Sequence, residues 1–306
     1  MVDIGSNVGV LLEAFKNAGT RIQGVDPSAN IVMIAHKRGI DTICDFINTE
    51  TVRKIVEKNG RASVVTGTNV FAHIDDLYRL MSDLDMLLNE KGVFIFEAPY
   101  LVHLIDHVEY DTIYHEHLSY LSVKPLVPFF ERFGLEIFEI EQVDIHGGSF
   151  RVYVGKKGQR PVSNIVEKLL KEEENKKLYS HELLDDFAKK VLQNKKDLTW
   201  LLHSLKKEGK KIAGVSAPAK GMTLLNYCGI DNDILDFVTE KSTLKIGRFT
   251  PGTHIPVVED NELLKEKPDY SLLLAWNFAD EIMKNLDGYR KQGGKFIIPI
   301  PTPKIV

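Results

Sequence analysis

Cysteine is scarce in this chain: only Cys44 and Cys228 occur among 306 residues, which excludes a disulfide framework and a cysteine-built zinc site. Long apolar runs are also missing, since no stretch approaches the roughly 20 residues needed to cross a bilayer. The first residues lack the basic-then-apolar layout of a signal peptide, so the expectation is a cytoplasmic protein with no membrane partner. An excess of basic residues is absent too. Lys and Arg number 39 against 43 Asp and Glu, for a formal net charge of −4, which argues against nucleic acid as a partner. Neither Gly-x-x-x-x-Gly-Lys-Ser/Thr nor His-Glu-x-x-His appears, removing a P-loop and the zinc-protease spacing. No internal repeat of fixed period is apparent.

The densest chemistry lies in Tyr110-Asp111-Thr112-Ile113-Tyr114-His115-Glu116-His117-Leu118-Ser119-Tyr120. Imidazoles, carboxylates and phenols at this density need dedicated partners if buried, and they are usually gathered for proton chemistry. At the start, Val2-Asp3-Ile4-Gly5-Ser6-Asn7-Val8-Gly9 reads as a buried strand breaking into a glycine turn, followed by a helix from about Val10 to Ala18. Glycines allow close backbone approach, and the helix start offers free N–H groups to a phosphate or to an amino-acid carboxylate. A dinucleotide fingerprint would need Gly-x-Gly-x-x-Gly. Here the order is Asp-x-Gly-x-x-x-Gly with Asn7 at the middle position, which resembles motif I of class I S-adenosylmethionine-dependent methyltransferases. A second strand ends in Asp26, about 20 residues beyond Gly5, where an acid can chelate ribose hydroxyls; capping the helix near Ser28 is the more ordinary alternative. The strand Ala62–Thr66 runs into Asn69 and His73; Asn69 is taken with Asp3, Gly5, Asn7, Gly9 and Asp26 as a cofactor contact, and His73 is given no role.

Length and composition predict roughly two domains, at about 100–200 residues each. Residues 1–155 alternate strands (near 1–4, 21–25, 40–43, 62–66, 92–97, 135–140 and 149–155) with helices, which implies a largely parallel, doubly wound α/β sheet. Residues 156–208 form a helical connector with Phe187, Val191, Leu198, Leu201 and Leu205 on one face; its Lys171-Glu172-Glu173-Glu174 and Lys195-Lys196 clusters read as solvated. Residues 209–306 form a second, smaller α/β Rossmann-like unit, with strands at 212–215, 235–238, 270–274 and 295–298. The turn Ser216-Ala217-Pro218-Ala219-Lys220-Gly221 between strand and helix is a fair anion site, because helix dipole, free N–H groups and ammonium all favour phosphate. A Lys220 that merely faces water fits equally well. Arg248, Thr253 and His254 could close on the same ligand.

Taken in order, Glu97-Ala98-Pro99-Tyr100, Asp111 to His117, His146-Gly147-Gly148-Ser149-Phe150-Arg151-Val152-Tyr153, Ala217-Pro218-Ala219-Lys220-Gly221 and Gly247 to Pro256 resemble the serial motifs of the nucleotide-diphosphate-sugar C-methyltransferases of deoxysugar biosynthesis. The resemblance covers nearly the whole chain. It implies S-adenosylmethionine as cofactor, a nucleotide-sugar substrate, and methylation of C3 beside a 4-keto group. It further implies His117 as the general base, flanked by Tyr114 and Glu116, with the C-terminal unit anchoring the nucleotide sugar. His146, Ser149, Arg151, Lys220, Arg248 and His254 are then the expected substrate contacts, although His146 could equally meet backbone. Family members begin with a cysteine-rich zinc module, which these residues do not include; the chain opens inside its first core strand, as though truncated or covered by a partner. Tyr114 is expected to hydrogen-bond the ketone or enolate oxygen and Glu116 to orient His117. Two other readings compete. One is a divalent-metal site at His115 and His117 with His103, His107 and Glu116 nearby; the preferred reading assigns no metal. The other is a relative that binds S-adenosylmethionine or nucleotide sugar without turnover. Oligomeric state and the identity of the sugar are not encoded in any recognisable pattern.

Overall fold

The computed structural model describes residues 1–143 and 147–306. The chain divides into two compact units, the first formed by residues 1–102, 116–144 and 148–178, the second by 103–115, 145–147 and 179–306.

In the first unit β1 (Val2–Ile4), α1 (Val10–Asn17), β2 (Gln23–Asp26), α2 (Ala29–Lys37), β3 (Thr42–Cys44), α3 (Thr49–Asn59), β4 (Ala62–Thr68), α4 (Leu77–Leu87) and β5 (Leu88–Pro99) alternate as expected. After α5 (Leu101–Asp106), which leads into the second unit, come α6 (Val123–Glu131), β6 (Leu135–Val143), β7 (Ser149–Lys156) and α7 (Asn164–Asn175). The sheet order is β3-β2-β1-β4-β5-β7-β6. β1 to β5 run parallel, and β7 is antiparallel to both β5 and β6. β1 and β2 are buried at every position, as strands covered on both faces must be. Behind β4 and β5 an aromatic stack of Phe71, Phe94, Phe96 and Phe130 fills the core, with Phe71 and Phe96 4.4 Å apart. Aromatic pairs at such spacings add to the area each ring buries, so the short turn that carries Phe71 is firmly fixed.

The second unit starts its ordered run with α8 (His181–Lys207), then β8 (Ile212–Val215), α9 (Ala219–Cys228), β9 (Val238–Glu240), β10 (Val257–Glu259), α10 (Glu262–Glu266), β11 (Tyr270–Leu273), α11 (Ala279–Asn285), α12 (Asp287–Lys291), β12 (Lys295–Ile298) and β13 (Lys304–Ile305). Its sheet order is β10-β9-β8-β11-β12-β13, parallel except for β13. Thus the helical stretch between the sheets is divided, α7 belonging to the first unit and α8 to the second. The stripe on α8 does enter a core, through Val191, Leu198, Leu202 and Leu205. Asn194 on the same stripe is buried, donating to the carbonyls of Pro299 and Pro301 at 2.8 Å each and accepting from the Tyr110 hydroxyl at 2.8 Å.

Two local expectations differ. The strand expected at 235–238 begins at Val238, because Leu235 and Phe237 are buried in the turn that precedes it and only their successors pair with β10. β10 and β13 were not expected; they are three and two residues long, too short for a period-two pattern to show.

Candidate active site

The turn after β1 is built to let a ligand approach backbone. Gly5 and Gly9 have φ of 70° and 80°, a region closed to most side chains. A Cβ on Gly5 would run into Val70, and one on Gly9 would lie 2.8 Å from Ile40. Gly9 caps α1 without a side-chain bond, so the first-turn N–H groups of that helix have no partner within it. Asn7 also sits at positive φ, 51°, and its N–H donates to Asp26 Oδ2 at 3.0 Å, while Ser28 N–H donates to Asp26 Oδ1 at 2.9 Å. Asp26 therefore ties the turn to the start of α2 and still has lone pairs for hydroxyl donors, since each carboxylate oxygen accepts about two bonds. Ser6 Oγ and Asn69 Oδ1 are buried and find no hydrogen-bond partner among the described residues. Asn69, at φ 55°, is held by its N–H to the Glu97 carbonyl at 2.8 Å.

Asp3 sits beneath this cradle, 5% exposed, with the Thr66 hydroxyl donating to Oδ1 at 2.5 Å. Burial pushes its pKa up from 3.8 to about 6, the Thr66 bond opposes this, and the neighbouring Asp26 adds to the rise. A carboxyl raised in the folded state contributes stability below its unfolded pKa and loses it as pH climbs through the folded value. Asp3→Asn should accordingly stabilise the ligand-free protein above pH 7 by on the order of 3 kcal/mol, with no gain below pH 4. Thermal melts at pH 8 and pH 4 check this, and an equal or lower melting temperature for the variant at pH 8 refutes it.

The Tyr114-His115-Glu116-His117 run passes from one unit to the other, Tyr114 and His115 counting with the second, Glu116 and His117 with the first. Within the first unit the Ala72 carbonyl accepts from Leu118 N–H at 2.9 Å and Ser119 N–H at 3.2 Å. This clamps the loop to the turn Phe71–His73, whose anchor is the buried Phe71 ring. As a result His73 and His117 meet edge to face with ring centroids 4.9 Å apart, and Tyr120 stands on His117 at 6.5 Å. Burial, then the proximity of His117, lowers the His73 pKa, and Glu116 pulls it the other way. His117 is half-buried and Glu116 exposed. His73, given no role from sequence, is thus the ring beside the expected base.

Arg151 forms ion pairs with Glu97 and Glu141, both at 2.9 Å, and Ser149 is wholly buried in the ladder opposite Pro99 and Val143. His146 lies outside the described residues. Asp45 and Phe46, unremarked in the sequence, follow β3, whose Cys44 pairs with Asp26 in register; Phe46 is 70% exposed.

In the second unit Lys220 does not face water. Its side chain is 13% exposed, 4.0 Å from Asp111 Oδ2, and its ammonium stands 4.2 Å over the Trp276 ring. Trp276 Nε1 donates to the same Asp111 oxygen at 2.7 Å. Burial lowers the Lys220 pKa while Asp111 and Glu109 raise it; burial also pushes both acids up, with Lys220 opposing. Arg248 and His254 lie in the loop that precedes β10. Asn226 donates to the Pro251 carbonyl at 3.0 Å, so their loop is tied near the far end of α9, about 9 Å of helix from Lys220. His254, at φ 55°, stacks flat on Phe249 with centroids 4.3 Å apart.

Residues 1–140 match the family model described as "Methyltransferase domain", and residues 144–301 the one described as "C-methyltransferase C-terminal domain". The C-methyltransferase NovU of Streptomyces niveus is 36% identical over 307 residues, spanning 100% of this chain and 73% of that protein. The chain belongs to the C-methyltransferase family. It is a SAM-dependent C-methyltransferase, and its first unit is a class I methyltransferase fold. A more distant relative, the ubiquinone biosynthesis O-methyltransferase of Rhodopseudomonas palustris strain BisA53, is 26% identical over 97 residues, 31% of this chain and 38% of that one. Among solved structures the plantazolicin methyltransferase BpumL, in complex with a desmethyl analogue and SAH, matches at 13% identity and a TM-score of 0.40 over 51% of this chain and 76% of its own, too remote to carry an argument. The cradle fits the family's cofactor: S-adenosylmethionine carries hydroxyls for Asp26, a polar group for the orphaned Asn69 Oδ1, and a carboxylate for the open start of α1. Among the described residues no three His, Cys, Asp or Glu side chains come together as metal ligands, and no helix is long and apolar enough to cross a membrane.

Proposed function

We propose that this C-methyltransferase acts on a nucleotide-linked deoxysugar, methylating C3 beside a 4-keto group, with His117 as general base. The observation that carries the reading is the clamp of Ala72 on Leu118 and Ser119, which fixes an imidazole in the unit that holds the cofactor cradle. Bound S-adenosylmethionine supplies an electrophilic methyl group; what the chain must add is a carbon nucleophile. A C–H next to a ketone is acidic enough only while a base is held against it and the forming enolate oxygen is stabilised. His117 takes the C3 proton on a ring nitrogen, and the electron pair moves toward the C4 oxygen, where Tyr114 donates. Glu116 and His73 hold the His117 ring. Lys220, fixed by Asp111 and Trp276, serves the diphosphate at the first turn of α9. Cytoplasmic placement fits such a substrate.

Incubation with S-adenosylmethionine and a thymidine-diphosphate 4-keto-6-deoxy sugar tests this. The expected product is heavier by one methylene, and in heavy water without the methyl donor the C3 position should gain deuterium. Sugar recovered unchanged from both incubations would defeat the reading.

A further inference from the structure

The chain enters the Tyr114 run from a turn that carries more polar bonding than its closure needs. Thr112 Oγ1 and N–H both donate to the Glu109 carbonyl, at 2.7 and 3.1 Å, and Ile113 N–H donates to the Tyr110 carbonyl at 3.0 Å. Those bonds close the turn by themselves. Yet the two side chains between them reach out to three further segments of the same unit. Tyr110, buried, donates its hydroxyl to Asn194 of α8 at 2.8 Å, and its oxygen lies 3.5 Å from Cys228 Sγ at the end of α9. Asp111, wholly buried, accepts from Trp276 Nε1, in the short turn after β11, at 2.7 Å, with the Lys220 ammonium 4.0 Å away. Ile113 is then 45% exposed, and Tyr114 follows it directly.

Stability does not account for the anchor at Asp111. A carboxylate taken out of water costs free energy that one indole N–H and a distant ammonium offset only in part, and its Oδ1 has no partner on another residue among the described residues. An apolar contact of similar volume would hold the turn as well or better. What such a contact lacks is direction. An N–H···O bond weakens steeply away from its preferred line, so the Trp276 bond fixes how the turn is rotated as well as where it lies, and the residues just beyond it move with it. Tyr114 needs that precision most. A donor to a developing enolate oxygen acts only if it is already in place, and a displacement of about 1 Å can cost about 10²-fold in rate.

We infer that Asp111 is a positioning residue for methyl transfer, setting the place of the Tyr114 hydroxyl through its hydrogen bond from Trp276. The inference rests on the role given to Tyr114 above and names the pair that makes the role effective. It is separate from the tie between Asp111 and Lys220. A defect in that tie changes ground-state binding and shows in KM, whereas a misplaced Tyr114 weakens an interaction made in the transition state and shows in kcat.

Steady-state methylation of a thymidine-diphosphate 4-keto-6-deoxy sugar by the full chain tests it, with Trp276→Phe made in wild type and in Tyr114→Phe. Phenylalanine deletes the N–H donor but keeps a ring under the Lys220 ammonium and leaves Asp111 beside it; the bond from Tyr110 to Asn194 still holds the turn. Trp276→Phe should lower kcat by about 10- to 100-fold, with KM and S-adenosylmethionine affinity little changed. Added to Tyr114→Phe it should cost no more than about twofold, because residues that act through one another do not add. Asp111→Asn should keep most of kcat, since its amide oxygen still accepts from the indole. An unchanged kcat for Trp276→Phe, a rise in KM alone, or an equal loss in both backgrounds overturns the inference. So does Asp111→Asn falling as far as Trp276→Phe, which would assign the effect to charge. If Trp276→Phe loses S-adenosylmethionine binding its fold is at fault, and Asp111→Ala is judged by the same outcomes. A wild type inert toward the sugar defeats the substrate reading and this inference with it; an active wild type with additive losses defeats this inference alone.

Discussion

His117→Asn is expected to lower methyl transfer by about 10²–10⁴-fold, the usual contribution of a positioned base, with S-adenosylmethionine affinity unchanged. Asparagine retains a polar head near the size of the ring but has no nitrogen that takes up a proton near neutral pH. Its backbone stays pinned through Leu118 and Ser119 to Ala72, so the loop should not collapse. The cofactor cradle at Gly5, Asn7 and Asp26 is held by its own bonds. Two readouts separate a chemical defect from a binding defect. Deuterium entry at C3 should fall with turnover, since both need the same proton removed, while the calorimetric signal for S-adenosylmethionine should persist. Tyr114→Phe should lose less, because it removes a hydrogen bond to the enolate and leaves the base. A His117→Asn protein that exchanges and methylates at the wild-type rate would assign the base to another residue.

What sequence could show and what it could not follows from the range of the interactions. The cradle is local: Gly5, Asn7 and Gly9 need their own backbone angles, and strand, turn and helix sit within about twenty residues, so a linear pattern carries it. Asp26 is close enough in sequence to be paired with them, and the structure adds that it ties the turn to the start of α2. His73 was illegible because its partner His117 is far along the chain and the tie between them is a backbone carbonyl, Ala72, that no residue type announces. Lys220 was half legible. Its place at a helix start was visible, but its engagement by Asp111 and Trp276 depends on three separate segments converging. The charged run Lys171-Glu172-Glu173-Glu174 misled outright. Read as solvated, it contains Glu173, which is fully buried, because a helix turns one residue in every three or four inward whatever its neighbours carry.

That buried carboxylate has a large expected effect on stability. Glu173 reaches from α7 to accept from Tyr100 Oη at 2.8 Å, Val123 N–H at 2.6 Å and Lys124 N–H at 2.9 Å. The two backbone donors are the first of α6, whose own N-cap residue Ser122 makes no side-chain capping bond. Glu173 thus caps α6 from a neighbouring helix, where a negative charge also meets the positive end of the helix dipole. α6 begins just after the loop that carries His117, and Leu121 ahead of it accepts from Leu101 N–H at 2.9 Å, so the cap fixes one end of that loop. Glu173→Ala would take the acceptor away from two buried donors, Tyr100 Oη and Val123 N–H, and from the part-buried Lys124 N–H, at roughly 1–3 kcal/mol for each buried one, on the order of 4 kcal/mol together. A domain stable by about 5–15 kcal/mol loses much of its margin at that cost. Glu173→Gln should lose roughly half as much, since the amide keeps one acceptor oxygen but turns an NH₂ toward a donor. Denaturant unfolding of wild type and both variants measures this, and an alanine variant within about 1 kcal/mol of wild type would show that the three donors find water or other acceptors and that α6 stands without its borrowed cap.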